Sequence, residues 1–441
     1  MAAGAPRFLL ISEYPPWPAD SGADQRTQLL WRALDRLGEV DLFLASRYAM
    51  HSPQQIAACR EQFRLAGQVR LAKPGELGAF RLVRPAVPRL VDKVANVLAD
   101  RQHFYQADAA AAAWLRQRVV SRRYDAIVGR FLLPTASSGA FLFSPVILDL
   151  DDVDTQRLEN LLQQPQYPPW KRALWRRQLR QLRRALPPLL RQPEHIWLVN
   201  PDDLAQTPAA PNSVLPNIAF APAGTSIVPQ PPADASQIMV MVGSLRHRFN
   251  VHGVERFINK IWPRILEARP AARFHIVGSQ MTDGQRQRWG AVPGVKPIGF
   301  VEDIAQAYAP AAMAICPIFE GVGTKIKVVE CFMHGRTAVV TPNAHRGFTE
   351  ALPDELALLA PGADEAFADA CVALLDNPAR RRRMAEFGLE RVRDQFSFER
   401  FAAEVSRTVQ QVLAAHPGGV RECGVARQQN VPLVPEPLGA S

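Results

Sequence analysis

Short runs of apolar residues recur along this chain, closed by glycine, proline or a charged turn, and alternate with segments whose apolar positions fall at helical spacing. In the first half the runs are RFLLIS (7–12), EVDLFL (39–44), YDAIVGR (124–130), PVILDL (145–150) and IWLVN (196–200). In the second they are IMVMVGS (238–244), ARFHIVGS (272–279), VKPIGF (295–300), AAMAICPI (311–318), TAVVTP (337–342) and ELALLA (355–360). Runs that are apolar almost throughout suit strands covered on both faces, so the pattern predicts an α/β protein with parallel sheets and right-handed crossovers. A helix is expected from about Asp24 to Leu37, ended by Gly38.

The strand–helix rhythm stops once, at AFAPAGTSIVPQPPADAS, whose prolines and small residues read as a linker over 219–236. The expected organisation is two doubly wound, Rossmann-like domains, residues 1–218 and 237–396, then a closing helix over 397–416 and a polar, disordered tail over 417–441. Two such domains facing one another leave a cleft at the carboxyl ends of their strands, where ligands of open α/β sheets bind.

The segment CPIFEGVGTKIKVVECFMHGRTAVVTP (316–342) reads as strand, glycine turn, helix and strand. Gly321 and Gly323 let the backbone turn close to a ligand, a helix opening near Thr324 presents free amides, and Glu330, about two turns in, can accept hydrogen bonds from a ribose diol. The competing reading is an ordinary βα turn carrying a surface glutamate. Turns after other strands supply further candidates: Ser21, Gly22 and Arg26; Arg130; the acidic run Asp149, Asp151, Asp152 and Asp154; and Arg246 to Arg248. Gly22 either permits a tight turn before a helix capped by Ser21 or Asp20 or lets the backbone approach a donor closely. The aspartate spacing lacks the glycine and distal glutamate of a calcium loop, so capping and acceptor-hydroxyl binding fit it better than metal.

These blocks resemble glycosyltransferase family 4. The glycine-rich turn, the acidic helix, Gly335 and Thr337-Ala338-Val339-Val340 are similar to its donor-site block. ISEYPPWPADSGADQR, VLPNIAF, VGSLRHRFNVHGVERFINKIWPRILEARPAARFHIVG and DNPARRRRMAEFGLERVRDQFSFERFA are similar to its opening, boundary strand, mid-domain block and closing helices, so the likeness spans about residues 7–415. The T-K-I-K-V-V-E form looks like a subgroup of polysaccharide assembly. The resemblance implies a GT-B fold, a nucleoside diphosphate sugar donor, a glycan or lipid-linked acceptor, retention of configuration and no metal or other cofactor. It implies that Glu330 contacts the ribose; the turns themselves place Gly22, Arg248, Gly321, Gly323, Thr324 and Lys327 with it on the donor side, and Arg26, Asp151 and Asp152 on the acceptor side. The catalytic candidates are Arg130, directly after an apolar strand, and Arg246 and Lys325, which can stabilise the departing diphosphate; Lys325 and Lys327 point different ways on a helix, so one of them reaches the phosphate, and Lys325 is favoured. Two departures stand out. Val322 occupies the first position of the family's Glu-x7-Glu pair, Glu320 coming two residues early, and Ser244 and Asn250 stand where many members carry Arg and Lys. Alternatives are therefore a nucleotide-sugar epimerase of the same fold and a degenerate nucleotide- or glycan-binding module.

Composition adds three points. At 441 residues, 47% hydrophobic and 21% charged, the chain can bury two large cores. Five scattered cysteines without C-x-x-C spacing indicate a reducing compartment, and the apolar run Phe8–Ile11 is broken too soon for a signal peptide or membrane span, so a cytoplasmic protein is expected. The net charge of +10 favours an anionic partner, and between Trp170 and Arg191 there are eight Lys or Arg and no acid. Trp170, Leu174, Leu179, Leu182, Leu186 and Leu189 recur there at helical spacing, giving a basic amphipathic helix that either lies on an anionic membrane or packs its stripe on the core. No nucleic-acid-binding motif accompanies the charge. Among the histidines, His103, His334 and His345 are worth attention, and His345 with Arg346 follows a strand end where both can overhang a donor.

Overall fold

The computed structural model describes residues 4–423 except 18, 20, 48–50, 74–75, 77–90, 92–93, 96–103, 152, 164–166, 208–209, 222–224 and 231–233. The chain forms two compact units, Met1–Leu215 with Phe401–Ser441, and Pro216–Arg400.

In the first unit the strands are β1 (Arg7–Ser12), β2 (Glu39–Ser46), β3 (Leu65–Arg70), β4 (Ala126–Arg130), β5 (Phe143–Ser144), β6 (Val146–Leu150), β7 (His195–Leu198) and β8 (Asn212–Val214). Seven of them form one sheet in the order β3-β2-β1-β4-β6-β7-β8, parallel throughout. Phe8, Leu9, Leu10 and Ile11 have no exposed surface, as expected of a strand covered on both faces. The first helix spans Gly22–Asp35 and is capped by Ser21, whose Oγ accepts from the Asp24 amide while the Asp24 carboxylate accepts from the Ser21 amide. At Gly38 a Cβ would lie 2.0 Å from the Pro6 carbonyl oxygen, so only glycine fits that turn.

The second unit holds β9 (Ile238–Val242), β10 (Arg273–Val277), β11 (Val295–Gly299), β12 (Met313–Cys316) and β13 (Ala338–Val340) in the parallel order β11-β10-β9-β12-β13. In each unit the strand order reverses beside the first strand, between β1 and β4 and between β9 and β12, the place where an open sheet binds ligands.

Several expectations need correction. ELALLA is no strand. Glu355 adopts φ 66°, and the segment makes only the isolated bridges Val339 to Leu359 and Asp354 to Leu358. Two edge strands, β3 and β8, carry no long apolar run and escaped the pattern; the boundary strand is Asn212–Val214 and ends before Pro216. The helix Phe398–Ala415 packs from Phe401 onward into the first unit, where Thr408 Oγ1 accepts from Trp197 Nε1 at 3.1 Å. The residues just beyond are ordered as well: β14 (Arg421–Glu422) pairs antiparallel with β5, and the Val420 amide donates to the Tyr124 carbonyl at 2.8 Å. The rest of the expected tail, 424–441, lies outside the described residues.

The basic segment forms the helix Pro169–Leu190. Leu179, Leu182, Leu186 and Leu189 are buried in the core, but Trp170, expected on the same stripe, is 65% exposed. Arg176, Arg177, Arg180, Arg183 and Arg184 are not buried with them.

Candidate functional site

In the second unit the chain leaves β12 at Cys316 and reverses through Gly321 (φ 102°) and Gly323 (φ 73°), left-handed conformations that explain glycine at both positions. The next helix is Ile326–Met333, two residues later than its expected opening. Lys325 is extended (φ −95°, ψ 94°) and serves as N-cap without a side-chain cap, so Glu330 lies just over one turn in rather than two. Thr324 Oγ1 accepts from Asn217 Nδ2 at 3.0 Å.

The two lysines differ in what they hold. Lys325 Nζ folds back to donate to the carbonyls of Val322 and Gly323 at 2.7 and 2.8 Å, which ties the glycine turn shut. Lys327 Nζ reaches instead to Asn250 Oδ1 at 2.6 Å, close enough to β9 that a Cβ at Gly243 would lie 2.6 Å from it. Asn250, on the helix Arg248–Arg256, is oriented by its Nδ2 donating to the Ser244 carbonyl at 2.8 Å. Asn250, one of the two departures from the Arg and Lys pattern, is thus a neutral seat for a cation arriving from another helix, oriented by the backbone at the other, Ser244. Burial pushes the Lys327 ammonium below its ordinary pKa.

Glu330 follows Lys327 by three residues and so shares its helix face. Its Oε1 accepts from the Tyr308 hydroxyl at 2.9 Å, and the Tyr308 ring stacks on His334 with centroids 4.7 Å apart. Burial raises the Glu330 carboxyl pKa, while the Tyr308 hydroxyl and the Lys327 charge act to lower it. One turn of helix therefore offers a cation and a carboxylate, both held by uncharged groups. That combination can take a phosphate and a diol together.

Around this turn Arg246 and Arg248 are exposed. Arg248 Nε donates to His252 Nε2 at 3.0 Å, and His252 Nδ1 meets Glu320 Oε1 at 2.7 Å. Burial and then the charges of Lys327 and Arg246 lower the pKa of His247, so Arg246 shares the field of Lys327. His345 does not overhang the turn. It is buried, with Nε2 donating to the Leu352 carbonyl at 2.7 Å. His334 is buried too, its pKa pushed down to about 4 by desolvation, and His103 lies outside the described residues.

The first unit gathers its candidates differently. Arg26 and Arg130, expected at an open strand end, are buried, 1% and 0% exposed. Arg26 grips Asp149 with Nη2 at 2.6 Å and Nε at 3.0 Å, and its Nη2 also donates to the Leu215 carbonyl at 2.9 Å. Arg130 donates from Nη2 to Asp151 Oδ2 at 2.6 Å, and its Nε lies 3.3 Å from Asp149. Burial opposes the charge on Asp149, but the two guanidiniums prevail and hold its carboxyl below the ordinary range. Asp151 keeps 19% of its side-chain surface exposed, Gly22 is the first residue of its helix, and Asp152 lies outside the described residues. Phe131, directly after Arg130, is held at φ 67° with its ring 3.9 Å from that guanidinium.

Among the described residues no group of three or more His, Cys, Asp or Glu is placed to hold a metal ion, and no helix is long and apolar enough to cross a membrane.

Residues 236–377 match the family model described as Glycosyl transferases group 1. The second unit carries a glycosyltransferase domain. No curated protein matches the chain. Among solved structures, a sucrose-phosphate synthase from Thermosynechococcus elongatus is similar with TM-score 0.61 and 17% identity over 93% of this chain and 100% of that one. Anabaena Alr3699/HepE in complex with UDP gives 0.58 and 12% over 92% and 100%. WaaG, described as a glycosyltransferase involved in lipopolysaccharide biosynthesis, gives 0.57 and 13% over 92% and 99%. These likenesses establish the fold: the two Rossmann-like units are those of the GT-B glycosyltransferases.

Within the glycosyltransferase domain, Gly321, Gly323, Thr324, Lys325, Lys327 and Glu330 cluster on one turn and the helix behind it. Two residues of that site carry no signal in the sequence. Asn250 figures there only as a departure from a pattern, and Tyr308 sits inside the helical segment Ala305–Tyr308 with no motif to mark it. Each becomes visible only through a contact, 77 residues away for Asn250 and 22 for Tyr308.

Proposed function

We propose that the chain transfers a sugar from a nucleoside diphosphate donor to a glycan or lipid-linked acceptor, with retention of configuration and without a metal, as a family 4 enzyme of the polysaccharide-assembly subgroup. The observation that carries this reading is the pairing of Lys327 and Glu330 on one helix face, the first 2.6 Å from Asn250 and the second 2.9 Å from the Tyr308 hydroxyl. Lys327 and the first-turn amides take the diphosphate, with Arg246 supplying further positive charge, and Glu330 takes the ribose hydroxyls. Among the fold neighbours, Anabaena Alr3699/HepE was solved with UDP and with UDP-glucose, which supports a donor of this class. On the acceptor side Asp151 is the group with exposed surface, and Arg130 positions it.

The deciding experiment is a thermal-shift comparison of the wild type and Glu330→Ala with UDP, GDP, ADP, TDP and CMP. A ligand at 100 times its dissociation constant adds about 2.7 kcal/mol of stability. Selective stabilisation by one diphosphate, absent in the variant, is expected; a folded protein that responds to none of the five refutes the donor site. Incubation with the matching sugar nucleotide and an acceptor lipid extract then separates transfer from the isomerised donor that an epimerase would yield.

The acceptor reading carries a location, the inner face of a membrane. On Pro169–Leu190 the leucine stripe is spent on the core, which leaves five arginines outside that stripe and the exposed Trp170 facing outward. Basic residues near an anionic surface contribute about 1 kcal/mol each. Cosedimentation with phosphatidylglycerol vesicles and none with phosphatidylcholine is expected, and the changes Arg176→Gln, Arg177→Gln, Arg180→Gln, Arg183→Gln and Arg184→Gln together should abolish it. Equal pelleting with both lipids would remove the electrostatic argument.

A further inference from the structure

Glu330 is the only carboxylate on its helix and is partly buried, so what holds it decides whether it can serve as a hydrogen-bond acceptor at all. Its partner is not a cation but the hydroxyl of Tyr308, a side chain with 2% exposure. Tyr308 is itself fixed at three points. Its ring stacks on His334, its hydroxyl donates to Glu330 Oε1, and its carbonyl accepts from Arg336 Nε at 3.0 Å. Arg336 has no exposed surface and spends its guanidinium on carbonyls. Besides Tyr308 these are Ala309 at 2.8 Å, Ala311 at 2.7 Å, Gln230 at 2.5 Å, and His334 and Gly335 at 3.1 Å each. A buried guanidinium spread over six carbonyls locks the chain before β12 to the chain after the Glu330 helix. The Tyr308 hydroxyl therefore cannot drift away from the carboxylate.

We infer that Tyr308 is a positioning residue for nucleotide recognition: its hydroxyl occupies one Glu330 oxygen, fixes the carboxylate plane and keeps the other oxygen turned to the two ribose hydroxyls. The inference rests on the reading that Glu330 receives the ribose. The chemistry follows from the inventory of donors and acceptors. An ionised carboxylate has about four acceptor sites, and a phenol fills one without neutralising the charge. An arginine or lysine in its place would hold the charge more tightly and compete with the ribose. With no partner at all, burial would favour the protonated acid, which accepts poorly. The donor is thus recognised through its sugar hydroxyls by a carboxylate whose geometry another element sets.

The test compares ribose-dependent binding in two proteins. Dissociation constants of UDP, GDP and ADP and of their 2′,3′-dideoxy counterparts are measured calorimetrically for the wild type and for Tyr308→Phe, with Glu330→Ala as reference. Tyr308→Phe is expected to weaken the preferred ribonucleotide about fivefold or more, in line with a hydrogen bond to a charged group, and to leave its dideoxy counterpart unchanged. Equal weakening of both, or of neither, overturns the inference while leaving the donor site standing if Glu330→Ala abolishes the discrimination between them that the wild type shows. If Glu330→Ala binds both like the wild type, or the wild type binds no diphosphate, the donor reading itself fails and this inference with it. A crystal structure of the wild type with the bound nucleotide reads the same bond without any variant. One Glu330 oxygen on Tyr308 and the other on the ribose is the expected result, and a Tyr308 hydroxyl turned off Glu330 overturns it.

Discussion

Each unit of the molecule buries charge near the carboxyl ends of its central strands, and the two do it in opposite ways. In the first, Arg26 and Arg130 face Asp149 and Asp151, so two cations meet two anions and the formal charge cancels within the cluster. In the second, Lys327 rests on an amide and Glu330 on a phenol, and neither charge is spent on its partner. Desolvating an ion is costly, and a buried pair recovers that cost internally, which makes the first cluster architectural. A charge whose hydrogen-bond partners are neutral keeps its capacity for an incoming ion or diol. Burial alone would have ranked Arg130 above Lys327 as a functional residue, whereas the partner's charge reverses the order. The first cluster has loose ends: Nε and Nη1 of Arg130 and Oδ1 of Asp151 have no hydrogen-bond partner among the described residues, though Nε and Oδ1 keep ion-pair contacts, and Phe131 beside them is held at positive φ.

The largest effect expected from this contrast is on stability. Asp149→Ala leaves two buried guanidiniums facing a single aspartate, and breaking a buried pair typically costs about 3–5 kcal/mol. Urea unfolding should show that loss, against a smaller change for Glu330→Ala, which breaks no direct ion pair and leaves Lys327 its hydrogen bond to Asn250. Acid titration sharpens the same point. The folded carboxyl of Asp149 lies below its ordinary 3.8, so its stabilisation is complete above that value and lost as pH falls through the folded one. Asp149→Ala should lack that acid limb. A variant as stable as the wild type at neutral pH would mean that the cluster is not architectural.

Much of this is legible in the order of residues alone. Fully apolar runs such as Phe8–Ile11 and Met239–Met241 suit only strands covered on both faces, and the glycines before Glu330 mark a turn with φ above zero. What stays hidden there is of one physical kind, pairing across the chain. Nothing near Arg130 says that Asp149 and Asp151 will bury it, and nothing in ELALLA says that its apolar residues cover a loop closed by two bridges. The edge strands β3 and β8 are half-exposed and mix apolar with polar residues, so the apolar-run pattern has little to act on. The preference for Lys325 over Lys327 misses the helix start: one extended residue at the N-cap turns Lys325 back on its own loop.

That last point gives the finer test of the comparison, within the second unit alone. Lys327→Met removes a half-buried charge whose hydrogen-bonded partner is the neutral Asn250, so the loss of stability should be smaller than for Asp149→Ala, while affinity for the preferred nucleoside diphosphate should fall about tenfold or more, the scale of one charge-assisted bond to phosphate. Lys325→Met should do the reverse. Its ammonium closes the glycine turn through two carbonyls, so the loss appears as about 1–3 kcal/mol of stability, and affinity falls less than for Lys327→Met because the ammonium is already committed. Calorimetric titration beside urea unfolding of both variants distinguishes the roles. If Lys325→Met loses the nucleotide and keeps its stability, the ammonium leaves the turn when ligand arrives, and the distinction between a charge held by dipoles and a charge spent on structure fails at the residue where it is easiest to see.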